Sequence, residues 1–272
     1  MFKNLSNSEI EKIRDSTRRI IEDTGFKVEH SEIRRICKKY GAIVDDATNI
    51  VRIPSQILDS LLKTVPSSYF IRDRKGRQYT IGMGKRWFHA IVTDPWIIDY
   101  KSGKPRRPLL SDIKKNTIVA QSIDDVVAIS LMEFPVSDVD ERFSILRARQ
   151  QHLLYHDKHI YVFPASVDSF RQWLDVGNIL FEGDISGSNY FSVAVGVQSP
   201  LVLNSMNCEI LYESVKMGFP ILPTVCPMAG STSPYSIAGT LLLGNVENIF
   251  LAAVVQMLNP GGPFLYSFGP SI

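Results

Sequence analysis

From Ser111 onward the chain alternates helical and apolar stretches with little between them, and this rhythm narrows the choice of fold more than any other feature. Helical periodicity over 111–122, 140–156, 166–181, 204–217 and 235–258 is interleaved with the runs VVAISLME, HIYVFPA, YFSVAVGV, PILPTVCP and PFLYSF. Short, nearly continuous apolar strands separated by helices predict a parallel sheet covered on both faces. Two architectures satisfy this pattern, a doubly wound open sheet and a (β/α)8 TIM-type barrel. No GxGxxG follows the first strand, which weakens the dinucleotide-binding form of the first. A complete barrel takes about 250 residues, and residues 111–272 leave room for about five of its eight strands. The expectation is an α/β chain carrying the N-terminal portion of a barrel, incomplete as it stands.

Residues 1–110 read differently, as a helix-rich N-terminal region with a strand and hairpin segment. NSEIEKIRDSTRRIIEDTG sets Ile10, Ile13, Ile20 and Ile21 near one face and stops at Gly25; HSEIRRICKKYG repeats the logic and stops at Gly41. AIVDDATNIVRI suggests a short strand, and Pro54 opens a third helix, SQILDSLLKTV. YFIRDRKGRQYTIG then alternates like a hairpin around Lys75 and Gly76, and WFHAIVTDPWIIDYKSGKPRRP reads as further strand and turn. The aromatic group Trp87, Phe88, Trp96 and Tyr100 offers a lid or partner surface, with packing between the N-terminal region and the barrel the expected role.

Composition closes off several functions. A net charge of +2 gives no nucleic-acid footprint, and Lys104-Pro105-Arg106-Arg107 reads as a solvated turn. Cys37, Cys208 and Cys226 lack CxxC spacing, so neither a disulfide framework nor a zinc site is expected and a reducing, cytoplasmic setting fits. His152 and His156 share a helical face as some zinc ligands do, but no third ligand is in place and no metal is expected. Ile237 to Leu258 approaches a membrane span in length, yet Asn245, Glu247, Asn248 and Gln256 interrupt it, so a buried helix and no membrane are expected.

Cys226-Pro-Met-Ala-Gly-Ser-Thr-Ser-Pro-Tyr-Ser-Ile-Ala-Gly-Thr-Leu resembles a P-M-A-G-x-T-x-P-x-T-x-A-G-T-L stretch of the trimethylamine methyltransferase family. The likeness continues through Asn245-Val-Glu247 and through Leu258-Asn-Pro260-Gly-Gly-Pro-Phe-Leu-Tyr266, and earlier through DYKSGKPRRPLLSDI and SPLVLNSMNCEILYESVKMGFPI. The resemblance implies a (β/α)8 barrel that moves a methyl group from trimethylamine or a glycine betaine-like quaternary amine to cobalt(I). That metal belongs to a methylcobalamin-type corrinoid on a separate corrinoid protein, so this chain binds no cofactor of its own. The implied partners are that corrinoid protein and a small methylated amine, with a homo-oligomer for the full-length protein. The competing reading is a truncated, inactive or binding-only remnant of such an enzyme.

In this fold class functional residues gather at the C-terminal ends of the strands. Glu133, Phe134, Phe163, Gln198, Met228, Thr232 and Tyr266 occupy those positions and are the candidate substrate-binding residues. Aromatic faces and a nearby carboxylate suit a cation that cannot donate a hydrogen bond, at about 0.5 to 2 kcal/mol per face. Each aromatic residue also has a packing role available to it. The loop Ala229 to Pro234 could cap its helix or hold an anion with its N–H groups. Asn245 and Glu247 are expected to tie neighbouring segments together rather than to act chemically.

Overall fold

The computed structural model describes residues 5–269, and these form two compact units, 5–66 with 194–269 and 67–193. In the first unit, helix α1 (Asn7–Arg19) begins at a capping box in which Ser6 and Glu9 satisfy each other's backbone N–H groups. Its end widens into a π-turn over Ile20–Thr24 and stops at Gly25, whose φ of 74° suits glycine; a Cβ there would lie 2.5 Å from the Val51 carbonyl oxygen. Helix α2 (Ser31–Lys39) and helix α3 (Ser55–Leu62) follow the sequence expectation, whereas strand β1 (Phe26–Val28) is unexpected and the single strand pattern of AIVDDATNIVRI is a hairpin of β2 (Ile43–Asp45) and β3 (Ile50–Arg52).

The second unit opens with the expected hairpin, β4 (Ser68–Arg72) and β5 (Gln78–Gly82), turning at Gly76. Strand β6 (Phe88–Ile91) comes next, then a small hairpin of β7 (Ile97–Ile98) and β8 (Pro105–Arg106), and helix α4 (Leu110–Gln121). The regular alternation continues with β9 (Val126–Ser130), α5 (Glu141–Leu154), β10 (Ile160–Val162), α6 (Val167–Leu180) and β11 (Phe191–Gly196), whose last three residues belong to the first unit. β6 pairs parallel with β9, β9 meets β10 through parallel bridges at Ala128–His159 and Met132–Phe163, and β10 pairs parallel with β11. The parallel sheet therefore starts one strand earlier than the apolar pattern predicts, at Phe88 instead of Val126. The sequence predicts strand here, but its place in the parallel sheet stayed hidden because Phe88, His89 and Ile91 are exposed and form no buried apolar run.

Back in the first unit lie β12 (Val202–Leu203), α7 (Ser205–Lys216), β13 (Ile221–Thr224) and α8 (Ile237–Leu258). β12 extends the N-terminal sheet by pairing parallel with β1, giving the order β12-β1-β3-β2. The fifth expected strand, PFLYSF, runs beside β13 with one parallel bridge, Ile221–Phe264, and bonds from Ile221 N–H to Pro263 O and Leu265 N–H to Ile221 O. Of the segment Tyr266 to Ser271 at the end of this expected strand, residues 270 and 271 lie outside the described residues. Among the described residues the strands make no closed barrel.

Helix α8 is long and apolar enough to cross a membrane, but 72% of its most apolar stretch is buried within the protein. Phe250 on it stacks against Phe26 with ring centroids 3.8 Å apart. Its polar residues bind neighbouring segments, as expected. The Asn245 amide donates to Thr17 (2.8 Å), Glu247 accepts from Ser199 Oγ and Leu201 N–H, Asn248 exchanges bonds with Ser267, and Gln256 joins Thr64, Gly261 and Gly262.

The expected packing role of the aromatic group does not hold. Trp87 alone is packed, its indole donating to the Thr80 carbonyl and meeting Tyr79 edge-on, whereas Phe88, Trp96 and Tyr100 are exposed.

Candidate functional site: a neutral aromatic face on the parallel sheet

Alternation along parallel strands puts every second residue on one face. The register of the second unit therefore aligns His89 and Ile91, then Ala128 and Ser130, then His159, Tyr161 and Phe163, then Tyr190 and Ser192. The opposite face carries Ile129, Leu131, Ile160, Val162 and Val193 and packs in the apolar core. One side of the sheet is thus polar and aromatic, although most of it is buried.

The polar groups are paired in an orderly way. His89 Nε2 lies 2.7 Å from Ser130 Oγ, and the Tyr161 N–H donates to the same hydroxyl at 3.1 Å. His159 Nδ1 faces the carbonyls of Asn189 (3.1 Å) and Arg72 (3.3 Å), which can only accept, so Nδ1 carries the proton. Its Nε2 then accepts from Ser192 Oγ at 2.9 Å. The Tyr161 ring meets His89 edge-on at 4.7 Å and His159 at 5.1 Å, while Phe163 lies parallel to His89 at 6.2 Å.

Burial keeps this face uncharged. Desolvation pushes His159 down to about 3 and raises the Tyr161 phenol to about 12. His89 keeps an edge open to solvent, yet the protein crowding its ring lowers it to about 4. The Tyr69 phenol is raised by burial and by the nearby Tyr161, and among the described residues its hydroxyl has no hydrogen-bond partner.

The expected strand-end residues divide. Phe163 joins this face and Phe134 is half-buried just beyond β9. Glu133 does not face it; its carboxylate turns toward α5 and α6. There it accepts from Arg149 Nε (2.7 Å), Arg149 Nη2, Ser169 Oγ, the Ala165 N–H (3.0 Å) and the Trp173 indole (2.8 Å). Glu133 and Arg149 side chains are each 1% exposed, so this carboxylate is committed to an internal ion pair. A polar residue ending an apolar run signals a partner, and the partner here is Arg149.

Gln198, Met228, Thr232 and Tyr266 belong to the first unit. Gln198 is exposed in a tight turn closed by two backbone bonds with Val202 and held from below by buried Glu247, whose carboxyl desolvation raises. The Met228 carbonyl accepts N–H bonds from Ser231, Thr232 and Ser233, and Thr232 Oγ1 accepts from the Met228 N–H. These donors fold the loop onto itself, and Ser236 caps α8, so capping rather than an anion cradle describes the loop. The Tyr266 hydroxyl donates to Asn245 at 3.1 Å beside a cavity of 270 Å³ lined by Ile10, Leu241 and Phe268 among others.

The sequence reading missed Tyr69, His89, Ser130, His159, Tyr161 and Ser192. Single polar residues at alternate positions of otherwise apolar strands, as in VVAIS and HIYVF, are the signal that would have found them. His152 and His156 form a buried pair with their Nε2 atoms 3.1 Å apart.

Repeated βα units with parallel strands, following a helical N-terminal region, define an α/β protein whose polar sheet face is its distinctive feature. The trimethylamine methyltransferase (MTTB) family profile matches residues 1–271, and the chain belongs to that family. It is 25% identical over 272 residues to trimethylamine methyltransferase MttB of Desulfitobacterium hafniense, covering 98% of this chain and 54% of that protein. It is 27% identical over 275 residues to MttB1 of Methanosarcina mazei, covering 96% and 54%. The glycine betaine methyltransferase of D. hafniense is 23% identical, covering 96% and 55%. The chain spans about half the length of these curated relatives. In fold it is similar to the crystal structure of the hydroxylamine MtmB complex, with a TM-score of 0.50 at 10% identity over 89% of this chain and 55% of that one.

Proposed function

We propose that the protein containing this chain transfers a methyl group from a tertiary or quaternary methylated amine, of the trimethylamine or glycine betaine kind, to cobalt(I) of a corrinoid carried by a partner protein. Its strands are read as part of a (β/α)8 barrel, with β6 as the first of them. Membership of the family supports the reaction class, and the observation that carries the site is the uncharged face of His89, Tyr161 and Phe163.

The substrate is a cation, so a protonated imidazole beside it would repel it. With His89 held down to about 4 and His159 to about 3, the face stays neutral at physiological pH. Ring faces then attract the cation at about 0.5 to 2 kcal/mol each. The acceptor's cobalt(I) supplies the electron pair for the new methyl bond. The C–N bonding pair leaves with nitrogen, so a quaternary ammonium departs as a tertiary amine and a protonated tertiary amine as a secondary amine, both neutral. No acid or base has to act, which agrees with a face built from groups that do not ionise near neutrality. Positioning does the work here.

Anaerobic spectroscopy of the full-length gene product with cob(I)alamin tests this. Trimethylamine or glycine betaine should convert the cobalt(I) absorbance to that of the methylated corrinoid; no conversion with either amine or their close relatives would refute the proposal.

A further inference from the structure

The two histidines of the polar sheet face are built alike. Each lies beside a serine on the next strand of the sheet, His89 of β6 beside Ser130 of β9 and His159 of β10 beside Ser192 of β11. The direction of the second bond is set by the histidine. The His159 Nδ1 proton goes to two carbonyls, which leaves Nε2 to accept from the Ser192 hydroxyl. The direction of the first is set by the serine. Ser130 is fully buried, and its Oγ already accepts the Tyr161 N–H at 3.1 Å. Among the described residues the acceptor within reach of its own proton is His89 Nε2, at 2.7 Å. His89 is therefore the neutral Nδ1–H tautomer, its Nε2 lone pair taken up by the serine.

That arrangement resists a charge. A proton added at Nε2 would point at Ser130 Oγ alongside the Tyr161 N–H, and the hydroxyl proton would be left buried without an acceptor. It also sets the ring. Held from β9, the imidazole stands at 60° to the Tyr161 ring and within 3° of parallel to Phe163. The titratable groups around it add no charge, because burial keeps His152 of α5 and His159 of β10 neutral and the Tyr161 phenol protonated.

We infer that Ser130 is a positioning residue of the proposed amine site, whose hydroxyl fixes the tautomer and orientation of His89 and keeps that ring uncharged beside a cationic substrate. Its contribution to methyl transfer rests on the proposed function, whereas its hold on the ring does not.

The test uses the full-length gene product with 15N-labelled histidine, the His89 signals being those lost in His89→Gln. Imidazole 15N spectra of the wild type at pH 7.5 should show Nδ1 protonated and Nε2 bare. In Ser130→Ala the ring loses the bond to Nε2 and should titrate at least about one pH unit higher. Ser130→Thr, which keeps the hydroxyl, should restore the wild-type spectrum. Tetramethylammonium, a cation with no proton to lose, then reports on the site by calorimetry from pH 7.5 to 5.0, with circular dichroism following the fold at each pH. Its affinity for the wild type should hold steady, and for Ser130→Ala it should fall at least about twofold as His89 takes up its proton. An Nε2–H tautomer or an imidazolium in the wild type overturns the inference. So does a Ser130→Ala protein whose His89 titration and cation affinity both follow the wild type's. A wild type whose His89 behaves as expected but which neither binds the cation nor methylates cob(I)alamin from trimethylamine or glycine betaine would sink the proposed reaction and leave the hold of Ser130 on the ring standing.

Discussion

At the residue scale, chemistry and stability are assigned to opposite faces of one sheet. Tyr161 and Phe163 face the proposed substrate, so Phe163→Ala should lower kcat/KM for a methylated amine about 5- to 30-fold while leaving the urea midpoint nearly unchanged. That range corresponds to about 1 to 2 kcal/mol of lost ring contact. Glu133→Gln should do the reverse. It strands Arg149, 1% exposed, without its counter-charge, and urea denaturation should show a loss of roughly 3 to 5 kcal/mol. An unchanged midpoint would mean the pair is not buried in solution. Sequence placed both residues at strand ends but could not separate them. The face a side chain takes depends on register, and one position along the strand reverses it.

At the scale of elements, α6 and β11 meet at a glycine. Gly177 lies inside α6, and a Cβ there would sit 2.9 Å from both the Ile185 and the Phe191 side chains. Alanine is the better helix former by about 1 kcal/mol, yet Gly177→Ala should destabilise by about 1 to 3 kcal/mol because the ring behind it has nowhere to go. A thermal melt decides the sign, and a raised Tm would contradict this packing. The helices from α4 onward were legible from periodicity to within a residue or two, because caps such as Ser166 and Ser236 are local signals, whereas α3 ends at Leu62, three residues before the expected Val65. The place of β6 in the sheet was not legible, since it comes from pairing with Val126 to Ser130 across α4 and Phe88, His89 and Ile91 stay exposed.

At the scale of the whole molecule, buried neutral histidines set the response to pH. Desolvation holds His156 and His159 down to about 3 and His152 well below its ordinary value. Unfolded histidines take up a proton near pH 6.5, which the folded ones refuse until about pH 3, so across that window the unfolded state binds more protons. Stability should therefore be complete above about pH 6.5 and fall as pH drops, by up to roughly 1.4 kcal/mol per pH unit for each histidine. Unfolding free energies from pH 7.5 to 4.5 check this, and a flat profile would contradict the burial of these rings. The architecture was readable in outline from alternating helices and strands, and the family from the Cys226 to Leu241 motif. The neutral face was hidden because its members are scattered singly over β6, β9, β10 and β11 and meet only when those strands align.

The central claim, that a methylated amine lies against His89, Tyr161 and Phe163, is tested most directly by NMR on the full-length gene product with isotope-labelled Phe and Tyr and 13C-methyl glycine betaine or trimethylamine. Cross-relaxation from the amine methyl groups to the Tyr161 and Phe163 rings, lost for the latter in Phe163→Ala, is the expected result. Bound amine whose methyl groups contact other rings and neither of these would contradict the account.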